Sequence, residues 1–167
     1  YPQEKKYNIL INDVNFYNKI KRCEVDKIYT VDKINDGRQI LKLERVMNEY
    51  PELNEPLLVG ELGSVYKYDD VTTDFSLNVT NSYSIAFLNS LGVKKITLSY
   101  ELELYQIREM IEAYKERYNI HPNLEVIVFG KEEAMISKFN LNKNYGMENT
   151  SLKDRFDNVY PISIKNN

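Results

Sequence analysis

The apolar and polar positions of this chain follow two alternating periods, and this pattern predicts an α/β fold. Short apolar runs of the kind found in strands occur at residues 7–11, 27–31, 56–60, 72–77, 95–99, 124–129 and 160–164. Apolar residues at helical spacing occur between several of these runs, at residues 14–20, 40–50, 82–91 and 104–118. Strands that alternate with helices are typical of a mostly parallel sheet.

Residues 72–101 form the unit around which the rest of the chain is arranged. They predict a strand, a helix that ends at Gly92, and a second strand. A strand–helix–strand unit of this length is a parallel crossover. The polar corner at residues 78–82 then falls at the carboxyl end of the first strand, where α/β proteins usually bind ligands.

The segment from Asp36 to Pro51 predicts a long helix. Its apolar residues recur at steps of three and four: Ile40, Leu43, Met47 and Tyr50. Asp36 is a suitable N-cap, and Pro51 a suitable stop. Near the other end of the chain, the apolar run at residues 124–129 predicts a buried strand interrupted only by Glu125.

The length of 167 residues sets limits on the architecture. A complete eight-stranded barrel typically needs about 250 residues, so the pattern predicts either part of a TIM-type β/α barrel or an open, mostly parallel sheet with flanking helices. We expect residues 1–167 to form a single α/β domain. Because the chain begins with Tyr1 instead of Met, we also expect it to belong to a longer protein.

The charge and the rare residue types exclude several kinds of site. The net charge is −3 and no basic block is present, which argues against an extended nucleic-acid surface but does not exclude a local patch. Cys23 and His121 are the only cysteine and histidine. The chain therefore cannot form an internal disulfide, a zinc site of Cys and His ligands, or a four-cysteine iron–sulfur site, and no cofactor or metal is expected.

No apolar run approaches membrane-spanning length, and no signal peptide is visible. We therefore expect a cytoplasmic protein with no membrane partner. An incomplete barrel would leave apolar sheet edges uncovered, so a homodimer is a further expectation.

Asp74 and Glu101 are the candidate catalytic residues. Both lie near the ends of predicted neighbouring strands. Two adjacent carboxylates suit acid–base catalysis, because the like charges raise the pKa of one of them. The alternative is a solvated aspartate together with a glutamate in the first turn of a helix.

Four other polar residues each have two possible roles. Asn78 and Asn81 follow the first strand of the central unit, where they could orient a ligand or, for Asn81, cap the next helix. Asp154 and Arg155 could form an ion pair or a substrate clamp, or they could anchor a loop.

Several short motifs occur in the order found in one known family. They are Gly60-Glu61-Leu62-Gly63, Leu77–Ser82, Leu91–Leu102, Glu125–Lys131, and Leu152–Arg155 followed by Pro161. In these segments the chain resembles the collagenase-like peptidase family U-32. The resemblance covers residues 57–163.

The resemblance implies the C-terminal part of a TIM-type barrel from a bacterial peptidase of unassigned catalytic type, acting on a peptide or protein substrate. If the chain is catalytic, Asp74 and Glu101 are the first candidates as acid–base groups. The substrate-binding candidates are Asn78, Asn81, Lys131, Asp154 and Arg155.

Two alternatives remain. Other members of the family act in the hydroxylation of RNA bases or of quinone precursors with cysteine-bound iron–sulfur clusters. In that case this chain would form the substrate side, and the cysteines would come from elsewhere in the full protein. The second alternative is a non-catalytic binding or scaffolding domain.

Overall fold

The structure is a computed structural model that describes residues 5–131, 133, 135–139, 143–144, 146 and 151–162. The chain forms two compact units, Tyr1–Gly130 and Lys131–Asn167.

The first unit is a seven-stranded parallel sheet whose strands lie in chain order. The strands are β1 (Asn8–Ile11), β2 (Lys27–Thr30), β3 (Gln39–Lys42), β4 (Leu57–Val59), β5 (Val71–Thr73), β6 (Lys95–Thr97) and β7 (Leu124–Glu125). The helices are α1 (Val14–Ile20), α2 (Leu62–Lys67), α3 (Ser82–Ser90) and α4 (Leu104–Tyr118), and a short 3-10 helix spans Phe75–Leu77.

The sheet curls until side chains of its first and last strands meet. Asn8 of β1 donates a hydrogen bond to the carboxylate of Glu125 in β7, although 117 residues separate them. A flat sheet of seven strands would hold these edges about 29 Å apart, because neighbouring strands lie about 4.8 Å from each other. The first unit is therefore a half-barrel with flanking helices, and the prediction of a partial β/α barrel is confirmed.

Both faces of the sheet bury apolar side chains, and the larger cluster lies on the side that faces the helices. The helix-facing side carries the main apolar core, in which Leu57, Val59 and Ile96 pack with Ile85 of α3 and Met110 of α4. Strand side chains alternate between the faces. The intervening residues therefore point to the inner, concave face, where Tyr29, Ile40 and Leu58 form a smaller apolar cluster.

The second unit contains an antiparallel hairpin of β8 (Ser151–Lys153) and β9 (Val159–Pro161). The sequence predicts a last strand at residues 160–164. The described part of that strand starts one residue earlier and ends at Pro161, and residues 163 and 164 lie outside the described residues.

The helix predicted between Asp36 and Pro51 is wrong. Residues Gln39–Lys42 instead form β3, which pairs with β2 and β4 in parallel register. Ile40 and Leu41 are both buried although they are adjacent in the chain, because both faces of this strand are covered. Asp36 caps no helix and accepts hydrogen bonds from Arg38 instead.

The strand predicted at residues 124–129 is shorter than expected. Only Leu124–Glu125 pair with β6, and the following apolar residues are exposed, with Phe129 97% accessible. Within the part of the chain that the structure describes, no helix is both long and apolar enough to cross a membrane.

Candidate functional site

Asp74 lies at the carboxyl end of β5, on the inner face of the sheet. Its backbone N–H extends the sheet by donating to the carbonyl oxygen of Val59, at 2.8 Å. One carboxylate oxygen, Oδ1, accepts hydrogen bonds from the backbone N–H of Ser76, at 2.8 Å, and from the Ser76 hydroxyl. Asp74 thereby caps the 3-10 helix at Phe75–Leu77, and only 4% of its surface is exposed.

The second carboxylate oxygen of Asp74 differs from the first in its hydrogen bonding. Oδ2 is fully buried and accepts no hydrogen bond from the described residues. The Nζ of Lys42, at the end of β3, lies 3.8 Å from Oδ2. Leaving a buried acceptor unsatisfied costs about 1–3 kcal/mol, so this oxygen makes Asp74 a candidate for a role other than stability.

The side chain of Ser76 connects Asp74 to Gly60, the residue after β4. The Ser76 hydroxyl is 2.8 Å from the carbonyl oxygen of Gly60, which follows β4. A β-carbon at Gly60 would meet the Ser76 Oγ at 2.5 Å and the Arg45 side chain at 2.7 Å. The close packing at this corner leaves no room for a β-carbon at residue 60. A glycine is therefore required directly after β4.

Aromatic and basic side chains flank Asp74 on the same rim. The rings of Phe75 and Tyr100 lie 5.1 Å apart, and the Arg45 guanidinium lies 5.8 Å from the centre of the Phe75 ring. Phe75 follows β5 and Tyr100 follows β6, so this pair spans neighbouring strand ends. The rim therefore offers an apolar surface beside a buried carboxylate.

Glu101 lies on the rim but makes no direct contact with Asp74. It is exposed, and its backbone N–H donates to the Ser99 hydroxyl at 3.3 Å. Among the described residues, no hydrogen bond or ion pair joins the two carboxylates. Asp74 is buried and not solvated, whereas Glu101 faces solvent.

Asn78 and Asn81 separate into two roles. Asn78 is exposed and adopts the left-handed conformation, with φ of 49°, at the end of the 3-10 helix. Asn81 is the N-cap of α3, because its side-chain oxygen accepts hydrogen bonds from the backbone N–H groups of Tyr83 and Ser84. The helix-cap interpretation of Asn81 is thus confirmed.

Replacing Asn81 by alanine should lower the free energy of unfolding by about 1 kcal/mol, because two backbone N–H groups of α3 lose their acceptor. Urea denaturation followed by circular dichroism measures the change. Asn81→Asp is the matched control, since aspartate caps as well as asparagine and should retain the stability. Equal stability of the wild type and Asn81→Ala would contradict the capping role.

The remaining candidates belong to the second unit. Lys131 is exposed. The side-chain amide of Asn158 donates a hydrogen bond to the Asp154 carboxylate and lowers its pKa, and the backbone N–H groups of Asn158 and Phe156 also donate to it and lower the pKa further. Arg155 lies over the Phe156 ring at 4.6 Å and forms no ion pair with Asp154. Asp154 thus anchors the turn between β8 and β9.

A second polar cluster on the inner face is not apparent from the sequence. The Glu125 carboxylate accepts hydrogen bonds from the Tyr29 hydroxyl at 3.1 Å, from the Thr97 hydroxyl at 2.9 Å and from Asn8. Burial raises the pKa of Tyr29, and the nearby Glu125 charge raises it further. Tyr29 therefore keeps its proton and remains a donor. The cluster connects four strands.

The side chains that commonly bind metal ions are dispersed in the described part of the chain. Within the described ranges, no three histidine, cysteine, aspartate or glutamate side chains lie close enough together to hold a metal ion. The polar groups near Asp74 are a lysine, a serine and a backbone carbonyl.

Comparison with known proteins adds a family assignment. No curated protein matches the chain, and no solved structure matches it. The model of peptidase family U32 matches residues 63–155, which is more than half of the chain. The matched region runs from α2 to the hairpin of the second unit, and it includes Asp74 and Glu101. The chain belongs to peptidase family U32.

Proposed function

We propose that this chain hydrolyses peptide bonds at the carboxyl end of the half-barrel, with Asp74 as the acid–base group. Family membership supports a peptidase-like domain. The observation that carries the proposal is the buried Oδ2 of Asp74, which accepts no hydrogen bond from the described residues. Because this acceptor position is unused, a water molecule that enters the site with the substrate can donate its proton to Oδ2.

The proposed reaction uses one water molecule and needs no covalent intermediate. Asp74 Oδ2 accepts a proton from water as the water oxygen bonds to the carbonyl carbon of the substrate. When the carbon–nitrogen bond breaks, the same carboxyl group returns the proton to the leaving nitrogen. The Ser76 bonds to Oδ1 keep the carboxylate in one orientation throughout.

Glu101 is the second proposed acid–base group. It belongs to the segment that follows β6, the strand beside β5, so it occupies the same rim as Asp74. Its exposure leaves the side chain free to turn toward a bound peptide. Its proposed role is to accept the second proton of the attacking water as the carboxylic acid product ionises, whereas the leaving nitrogen takes its proton from Asp74.

We further propose that the substrate is a peptide that crosses the rim beside the rings of Phe75 and Tyr100. The exposed side chain of Asn78 is a candidate hydrogen-bonding partner on the same rim. Lys131, Asp154 and Arg155 remain proposed substrate-binding residues on the second unit.

The test of this function is peptide cleavage by the purified chain. The chain is incubated with gelatin and with a mixture of peptides from a digested proteome, and mass spectrometry identifies new peptide termini. We expect new termini that accumulate linearly with time and protein concentration. The heat-unfolded chain is the control. A folded chain that produces no more termini than this control would contradict the proposed function.

A further inference from the structure

Lys42 is a partly buried cation on the inner face and lies outside the segments that resemble the family. It is the last residue of β3 and lies before the region that matches the family model. Its side chain is 12% exposed, and that of Asp74 is 5% exposed. The ammonium group is therefore held inside the candidate site.

The contact between Lys42 and Asp74 has an unusual geometry for a buried ion pair. The Nζ–Oδ2 distance is 3.8 Å, which is too long for a hydrogen bond. Removing two charges from water is costly, and buried pairs usually offset that cost with direct hydrogen bonds. Here Oδ2 accepts no hydrogen bond from the described residues, although Nζ lies within ion-pair distance of it.

The Lys42 ammonium group and the Asp74 carboxylate have the hydrogen-bonding properties that hydrolysis of a peptide bond requires. An ammonium group is a hydrogen-bond donor without acceptor capacity, and a carboxylate is an acceptor. One can donate to a carbonyl oxygen while the other accepts a proton from the attacking water. A lysine that served only to neutralise Asp74 would gain more from a direct hydrogen bond.

We propose that Lys42 is a catalytic residue that donates a hydrogen bond from Nζ to the carbonyl oxygen of the scissile peptide. This inference rests on the proposed function. As the water oxygen bonds to the carbonyl carbon, the π-electron pair moves to the carbonyl oxygen, and Lys42 stabilises the resulting negative charge. The pair returns when the carbon–nitrogen bond breaks and the nitrogen receives the proton from Asp74.

The test compares Lys42→Met with Lys95→Met in steady-state hydrolysis of a peptide that the wild type cleaves. Lys95 is the matched control, because it begins β6 at the opposite end of the sheet. We expect Lys42→Met to lower kcat by about 100-fold or more, since the loss of one oxyanion donor typically has this effect. Lys95→Met should retain the wild-type kcat. Circular dichroism verifies that each variant is folded.

The double variant Lys42→Met/Asp74→Asn distinguishes a Lys42 that donates to the substrate from a Lys42 that acts only through Asp74. If Lys42 acts only through Asp74, the double variant should be as active as Asp74→Asn alone. A donor to the substrate predicts a further loss of about 10-fold or more. If Lys42→Met does not fold, Lys42→Arg replaces it, because it keeps the charge and moves the donors, and it should still lose at least about 10-fold.

The outcomes distinguish the two proposals. A folded Lys42→Met with the wild-type kcat overturns the role of Lys42 and leaves the peptidase function in place. The same holds if the double variant equals Asp74→Asn. A wild-type chain that cleaves no peptide overturns both.

Discussion

Asp74→Asn should lower kcat for peptide hydrolysis by at least about 100-fold, because the variant lacks the carboxylate that accepts the proton of water. Asparagine has nearly the same shape, and its Oδ1 can still accept the hydrogen bonds from Ser76. The 3-10 helix that Asp74 caps should therefore persist. KM should change less than kcat, because the lost interaction belongs to the transition state.

Asp69→Asn is the matched control for this measurement. Asp69 lies in the exposed loop before β5, five residues from Asp74, and the substitution removes the same charge. It should retain the wild-type kcat. Initial rates of both variants, measured on one peptide at saturating concentration, decide the question. A kcat for Asp74→Asn within about threefold of the wild type would remove Asp74 from the catalytic role.

Glu125→Ala should lower the free energy of unfolding by about 3 kcal/mol, because it leaves several donors on the inner face without their acceptor. Tyr29 and Thr97 are each 5% exposed, so water cannot readily replace the lost carboxylate. Asn8 also loses its bond to β7. The change therefore weakens the contact that joins the first and last strands of the sheet.

Glu116→Ala serves as the control, since Glu116 is exposed on α4 and its replacement should change stability by no more than about 0.5 kcal/mol. Urea denaturation of both variants measures the difference. An unfolding free energy for Glu125→Ala equal to that of Glu116→Ala would mean that the polar cluster contributes nothing to holding the curled sheet.

The local signals of the central unit predict most of its structure. α3 and β6 begin where the sequence predicts them, and Gly92, with φ of 87°, ends α3. The first strand, predicted at residues 72–77, is wrong in its second half, because β5 ends at Thr73 and Asp74 caps a 3-10 helix at Phe75–Leu77. The cap at Asn81 and the amphipathic helix α4 follow from residues close together in the chain. Such elements depend on neighbouring residues, so the sequence pattern alone predicts them.

The segment after Asp36 shows why helical spacing of apolar residues led to a wrong prediction. A strand covered on both faces is apolar at adjacent positions, and its flanking residues can then imitate helical spacing by chance. Ile40 packs on the inner face with Tyr29 and Leu58, whereas Leu41 joins the main core. Contacts between residues distant in the chain therefore make this segment a strand, against the helix that its local pattern predicts.

The same error concealed the partner of Asp74. Lys42 was part of a predicted helix, so its position at a strand end could not be anticipated. In the sequence, Glu125 only interrupts an apolar run, yet in the structure its hydrogen-bond donors come from three other strands. The sequence contains one signal for both residues. A charged residue at the end of an apolar run, or within it, is expected to have a polar partner, because burying an unpaired charge is costly.

The position of the binding site can be measured with a cleavage-resistant phosphinic analogue of the best peptide substrate. In a ¹⁵N-labelled wild-type chain, titration with this analogue should shift the backbone amide signals of Gly60, Asp74 and Ser76. The signals of Lys95 and Asn123, at the opposite end of the sheet, should remain unchanged. Shifts confined to that opposite end, or no shift at any residue, would contradict a peptide site at Asp74.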